Sequence, residues 1–277
     1  MTTTATPRTE GALEMARGPS GALMLRSFGS VLRRDIVVLG KAPTAFLAHV
    51  LLQPVFFLFV FGKLLTGLGY VSGSYANLLF PGLVALTATV TAIQAMAFPL
   101  IAEFGWTKEI EDRLLAPLPL CAVAAEKVLF AALQALATAA VMFPIGIGVL
   151  GSVPFRAAGL GLLAGVLGLG SLLGACIGMT IGTFVPPVKI SLAFSLIFTP
   201  LLFTSATQYP WPLLARLRWF QVLTAANPIT YVSEGMRAAL VPSIPHIPGW
   251  ICLLALTGSL ALFGTIGMIG FRRRAIG

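Results

Sequence analysis

Six runs of apolar residues, at 45–65, 78–102, 128–150, 157–185, 190–206 and 250–271, set the rhythm of the chain. A helix rises about 1.5 Å per residue and the hydrocarbon core of a bilayer is about 30 Å thick, so a run of roughly 20 apolar residues is long enough to cross. Backbone polar groups meet no water at that depth, which makes each run a helix. The pattern predicts an all-α membrane protein with six transmembrane helices. The fifth run is the shortest, and Pro186, Pro187 and Pro200 bend or break it. Proline is tolerated there only where neighbours or water satisfy the carbonyls it frees.

Ahead of the first run the period changes. Leu25, Phe28, Leu32, Ile36 and Leu39 recur at steps of three and four, while Arg26, Ser30, Arg33 and Arg34 fall elsewhere on the wheel. This predicts an N-terminal amphipathic interfacial helix over 23–40, lying along the membrane surface. The alternative, a packed helix of a small soluble domain, has no second soluble element to pack on. Residues 1–20, rich in Thr, Ala, Pro and Gly, offer no periodic apolar face and read as a disordered tail, leaving 21–277 as one transmembrane domain. About forty mostly polar residues, among them Glu10, Glu14 and Asp35, precede the first run, which argues against a cleaved signal peptide and puts the N-terminus in the cytoplasm.

Composition agrees: 57% of the 277 residues are hydrophobic, 10% are charged, and mean hydropathy is +0.95. Too little polar surface remains to solvate a globule of this size, so the solvent is lipid. The net charge of +9 raises nucleic acid as a partner. The basic residues flank apolar runs, however, and form no basic face with interleaved aromatics, so no nucleic-acid partner is expected. Topology accounts for them. Arg8, Arg17, Arg26, Arg33, Arg34, Lys41, Lys108, Arg113, Lys127, Lys189, Arg272, Arg273 and Arg274 fall on one side, and only Lys63, Arg156, Arg216, Arg218 and Arg237 on the other. The positive-inside rule then places both termini of a multi-pass plasma (inner) membrane protein in the cytoplasm. Cys121, Cys176 and Cys252 are scattered and odd in number, fitting neither a disulfide framework nor a metal site.

Little in the chain speaks for catalysis. It has two histidines, His49 and His246, and no H-E-x-x-H, G-x-S-x-G or Gly-rich phosphate loop. The Gly40-Lys41 and Gly62-Lys63 pairs lack both the upstream glycine and the following Ser or Thr, so energy must come from an ion gradient or another subunit. Charge at the bilayer centre would signal proton or ion coupling. Lys63, Glu103, Glu126, Lys127 and Lys189 instead sit near run ends, where they are expected to snorkel to the interface. The fourth run carries Gly170, Gly174, Gly178 and Gly182 four residues apart, a single face of hydrogen side chains that predicts tight helix packing. No longer repeat is visible.

Two connecting stretches carry more information. The inner one, 103–127, alternates charge at Lys108, Glu109, Glu111, Asp112 and Arg113, then runs Leu114, Leu115, Ala116, Pro117. A short amphipathic helix ending at the prolines would offer a partner both charge and an apolar ridge; a solvated loop is the plain alternative. The outer one, 207–249, holds Tyr209, Trp211, Trp219 and Tyr231. Asn227 as N-cap and Pro228 at the first helical position predict a short helix over 227–240, with Glu234 three residues before Arg237 and the aromatics at headgroup depth. An aromatic belt and an exit-forming lid both fit it.

Together these parts resemble the ABC-2 type permease family of drug, lipid and polysaccharide exporters. The resemblance runs from about Leu23 onward and rests on the surface helix, the six spans, the inner Glu103, Gly105, Thr107 and Glu109 leading to Leu-Leu-Ala-Pro, and the outer Asn227, Pro228, Tyr231 and Arg237. Trp106 separates Gly105 from Thr107, which the family often has adjacent. The resemblance implies a permease without enzyme activity, paired with a second permease as homodimer or paralogous heterodimer. Each copy would dock on a cytoplasmic ABC ATPase, which binds the ATP and Mg, so this chain needs no cofactor of its own. By the same resemblance the ATPase-coupling residues are Arg33, Arg34, Glu103, Thr107, Lys108, Glu109, Glu111, Asp112 and Arg113. The outer gate would comprise Asn227, Pro228, Tyr231, Glu234 and Arg237. The expected function is ATP-driven export of a hydrophobic, lipid-like or glycoconjugate substrate. A gradient-driven transporter or channel acting without an ATPase is the alternative, and a membrane enzyme acting on lipid is a third class with no convergent acid, base or metal set behind it.

Overall fold

In the computed structural model the described residues are 28–30, 32–35, 37, 43–70, 72, 74–104 and 119–276, and all their regular structure is helical. Helix α1, Pro43–Phe57, contains Pro54 and continues through a π-helical stretch, Leu58–Leu64, and a last turn, Leu65–Gly67. The wider π turn follows the proline, which removes an i to i−4 hydrogen bond and unsettles the ladder around it. Helix α2 is Tyr75–Ala102 and α3 is Leu120–Leu150. Pro119, extended at ψ 145°, precedes α3, and Gly151 ends it at φ +82° with its N–H on the Ile147 carbonyl at 2.8 Å. That pairing of an initiating proline with a left-handed terminal glycine is what the two residues' backbones favour.

A 3-10 turn, Ala157–Gly159, leads into α4, Leu160–Phe184, which stops at Val185 before the two prolines. Helix α5, Ile190–Phe203, then a 3-10 turn, Trp211–Arg216, and the short helices α6, Arg218–Ala226, and α7, Pro228–Leu240, precede the last helix α8, Gly249–Ile276. Helices α1, α2, α3, α4 and α8 are long and apolar enough to cross a membrane. The fifth apolar run is different. Its helix has 14 residues, about 21 Å at the usual rise, against a hydrocarbon core of about 30 Å. The six runs thus appear as five full-length helices and one short one, because prolines hold back its start and the chain leaves the helix at Thr204.

The glycine column of α4 faces its neighbours at backbone distance. A Cβ on Gly174 would lie 2.7 Å from the Thr89 carbonyl oxygen of α2, one on Gly178 2.5 Å from that of Ile93, and one on Gly182 3.0 Å from the Leu100 side chain. Gly170 meets Val232 of α7 at 2.8 Å. Such closeness multiplies dispersion contacts where lipid offers no hydrophobic drive for helix association. Helix α8 packs on the other side of α4, and Arg274 donates to the Gly182 and Thr183 carbonyls at 3.0 and 3.1 Å, capping the C-terminal end of α4. The same guanidinium lies 5.0 Å from the Phe104 ring centre. Helix α5 leans on α2 through the stacked Phe98 and Phe194 rings, 4.8 Å apart, and exposes Leu192, Leu196 and Ile197.

Of the N-terminal stretch, residues 28–30, 32–35 and 37 are helical, with Arg33 and Arg34 exposed and Phe28 and Leu32 partly covered. The tail at 1–20 lies outside the described residues.

Candidate functional site

The outer stretch folds inward. Asn227 caps α7 by accepting the Ile229 N–H at 3.0 Å, while its Nδ2 donates to the Leu201 carbonyl at 2.8 Å and to Thr204 Oγ1 at 2.9 Å. One amide therefore starts α7 and holds the end of α5. Pro228 takes the first helical position, where its missing N–H costs nothing. Thr230 Oγ1 reaches the Thr224 carbonyl at 2.6 Å, and the Tyr231 hydroxyl donates to the Ala225 carbonyl at 2.9 Å, tying α7 to α6.

One turn further along α7 stand Glu234 and Arg237, both fully buried. Arg237 Nη1 donates to Glu234 Oε1 at 2.5 Å; Nη2 donates to the Ala206 and Thr207 carbonyls at 2.5 and 2.6 Å. Glu234 accepts in addition the Trp211 N–H at 3.0 Å on Oε1 and the Ile247 N–H at 2.9 Å on Oε2. Burial pulls the guanidinium below the usual Arg range, and the carboxylate beside it pushes back. Two charges out of water are tolerable only with such full hydrogen bonding. The cluster pins the segment after α5, where Ala206 holds φ +50°, against α2: a Cβ on Gly82 would lie 2.3 Å from the Thr207 carbonyl oxygen.

Sequence reasoning placed this helix at the outer interface, with Glu234 three residues before Arg237. The structure adds that nearly all of α7 from Ile229 to Leu240 is inside the protein, while the neighbouring α6 exposes Trp219, Val222 and Leu223. The acid and base one turn apart were visible in the sequence; their complete burial was not.

At the inner end a correction applies. Glu103 and Lys127 were expected to snorkel, yet Lys127 Nζ donates to Glu103 Oε1 at 2.6 Å with both residues buried, joining the end of α2 to the start of α3. Glu126 is buried beside them. Arg33 and Arg34 are exposed, and Arg34 Nε pairs with Asp35 at 3.1 Å. Thr107, Lys108, Glu109, Glu111, Asp112 and Arg113 lie outside the described residues.

Between these two ends lie two cavities of about 370 and 400 Å³ that share the lining residues Val50 and Gln94, the inner one among α1, α2 and α3 and the outer one among α1, α2 and α5. The inner one touches Asp35, Glu103 and Lys127; the outer one ends at Thr207 and Gln208, on the segment that Arg237 holds. Their lining from α2 and its C-terminal cap runs from Leu83 to Glu103. Twenty residues of helix separate its ends, about 30 Å, the thickness of the hydrocarbon. Among the described residues no group of His, Cys, Asp and Glu could hold a metal ion.

A family model described as ABC-2 type transporter matches residues 26–241, which covers every element above except α8. No curated protein matches the chain.

Proposed function

Because the chain belongs to the ABC-2 type transporter family, whose membrane domains are permease components rather than catalytic ones, we propose that it is the transmembrane subunit of an ATP-driven exporter. In this reading it moves a hydrophobic, lipid-like or glycoconjugate substrate out of the cytoplasm. The observation that carries it is the pair of adjoining cavities, which share Val50 and Gln94 and lie between the buried Glu103–Lys127 pair at one end of α2 and the segment held by the buried Glu234–Arg237 pair at the other. Apolar side chains dominate the lining, as a greasy cargo requires.

Energy comes from a separate cytoplasmic ATPase that holds ATP and Mg. Its contact surface comprises Arg33 and Arg34 with the inner stretch Thr107, Lys108, Glu109, Glu111, Asp112 and Arg113. Glu103, through Lys127, links that stretch to the bundle. A second permease completes the transporter, in the plasma membrane with both termini cytoplasmic. ATP-driven closure shifts the bundle between inward- and outward-facing populations, and release requires the segment at Ala206 and Thr207 to move off the outer cavity, so Asn227, Pro228, Tyr231, Glu234 and Arg237 serve as the frame of an outer gate.

The test is reconstitution in liposomes with and without the ATPase partner. Transport should need both ATP and that partner. Charge reversal at Glu109, Glu111 and Arg113 together should abolish ATPase recruitment or stimulation while membrane insertion persists. Undiminished transport by the triple variant refutes the coupling surface, and transport without any ATPase refutes the exporter reading itself.

A further inference from the structure

Among the described residues no charged side chain lines the outer cavity. Its polar lining is neutral, from Gln53 on α1, Thr87 and Gln94 on α2, Thr199 on α5, and Thr207 and Gln208 beyond it. Two of these are half-buried primary amides at opposite ends of the space, and no described residue hydrogen-bonds either side chain. Gln94 stands where the two cavities meet, and Gln208 uses only its backbone carbonyl, which accepts the Tyr75 hydroxyl at 3.3 Å. An amide offers two donors and an acceptor, and a ligand that covers these without pairing with them removes their hydration at a cost in free energy. Thr87, by contrast, already donates to the Leu83 carbonyl at 2.7 Å.

The nearest buried charges do not reach the space. Arg237 spends its donors on Glu234 and the backbone behind Thr207, and at the inner end Lys127 is held by Glu103. A charged ligand would enter the outer cavity without a counter-ion, against a large desolvation penalty. A purely apolar one would leave both amides unmet. The class that satisfies the site is therefore uncharged and mixed.

We propose that the outer cavity, between α1, α2 and α5, binds a neutral amphiphile, an apolar chain or ring system carrying uncharged hydroxyl or amide groups, with Gln94 and Gln208 as its hydrogen-bonding partners. This deepens the transporter reading by naming the cargo class. The site itself stands on binding alone.

The experiment places the full chain in phosphatidylcholine nanodiscs with three photoreactive probes that share one decyl diazirine tail and differ in head: glucoside, phosphate and trimethylammonium. The glucoside should label α2 and the 199–208 segment saturably, half-saturating at least about tenfold below the two charged probes. Gln94→Leu and Gln208→Leu should each raise that half-saturation about 2- to 10-fold, the worth of one hydrogen bond. Gln94→Glu, nearly isosteric and so a safeguard should a leucine variant not fold, should weaken the glucoside and strengthen the ammonium probe. Equal labelling by all three heads, non-saturable labelling, or glutamine variants indistinguishable from wild type overturns the proposal. Saturable, glutamine-dependent binding without ATP-driven transport would leave the site standing and remove the exporter reading. Transport that needs the ATPase but ignores Gln94 and Gln208 would do the reverse.

Discussion

Replacing Arg237 with Met removes the one cation from a fully enclosed cluster while keeping most of the side-chain volume. Glu234 then retains only the Trp211 and Ile247 N–H groups, and the Ala206 and Thr207 carbonyls lose their shared donor. Both members of the pair are 0% exposed, so solvent screening gives no relief. Removing one partner of a buried pair costs about 3–5 kcal/mol, or two to four powers of ten in the folding equilibrium. Reversible unfolding in mixed micelles, followed by helical signal or pulse proteolysis, measures it. Adding Glu234→Gln should recover about 1–3 kcal/mol of the loss, because the charge left behind is then gone. An Arg237→Met variant within about 1 kcal/mol of wild type would refute the reasoning, as would a double variant whose losses simply add.

Three further outcomes follow from the same packing. Gly178→Ala should destabilise the α2–α4 seam, since its Cβ would meet the Ile93 carbonyl oxygen at 2.5 Å, whereas Gly168→Ala, with nothing within 4 Å, should be neutral or stabilising; paired melting curves decide it. Asn227→Ala should cost about 1–2 kcal/mol for the lost cap alone, with more from the freed end of α5, and proteolysis between α5 and α6 should speed up. Lys127→Met should take the Nζ donor from buried Glu103 and destabilise the junction of α2 and α3, while Lys127→Arg should keep most of the stability; the same unfolding assay separates them.

Element identity was legible because lipid as solvent leaves few choices: a long apolar run must be a helix, and every sequence-derived run from 45 to 271 is one in whole or in part. The start of α7 was legible too, since Asn227 and Pro228 act locally. What could not be read was which neighbour a polar residue meets. Lys127 looks like an interfacial charge until Glu103, 24 residues earlier, comes to lie beside it. Arg237 counts among the outer-side charges, and only the chain after α5, folding back over it, buries it. The cavities were invisible for the same reason, each being lined by helices distant in sequence, and Gln94 has no local pattern that marks it.

Arg274 shows how a residue counted for topology can have a second employment. Of the three consecutive arginines near the end of α8, Arg272 and Arg273 face outward, while Arg274 reaches carbonyls of α4, a helix some ninety residues earlier. A truncation at Phe271 made to ease expression would therefore delete more than a basic tail. It would leave the last turn of α4 unterminated beside Gly182, where α4 meets α2, and would take the cation from the face of Phe104, next to Glu103. Purification handles belong beyond Arg274, and activity lost on shortening the chain by six residues would report a loosened inner end rather than a missing signal.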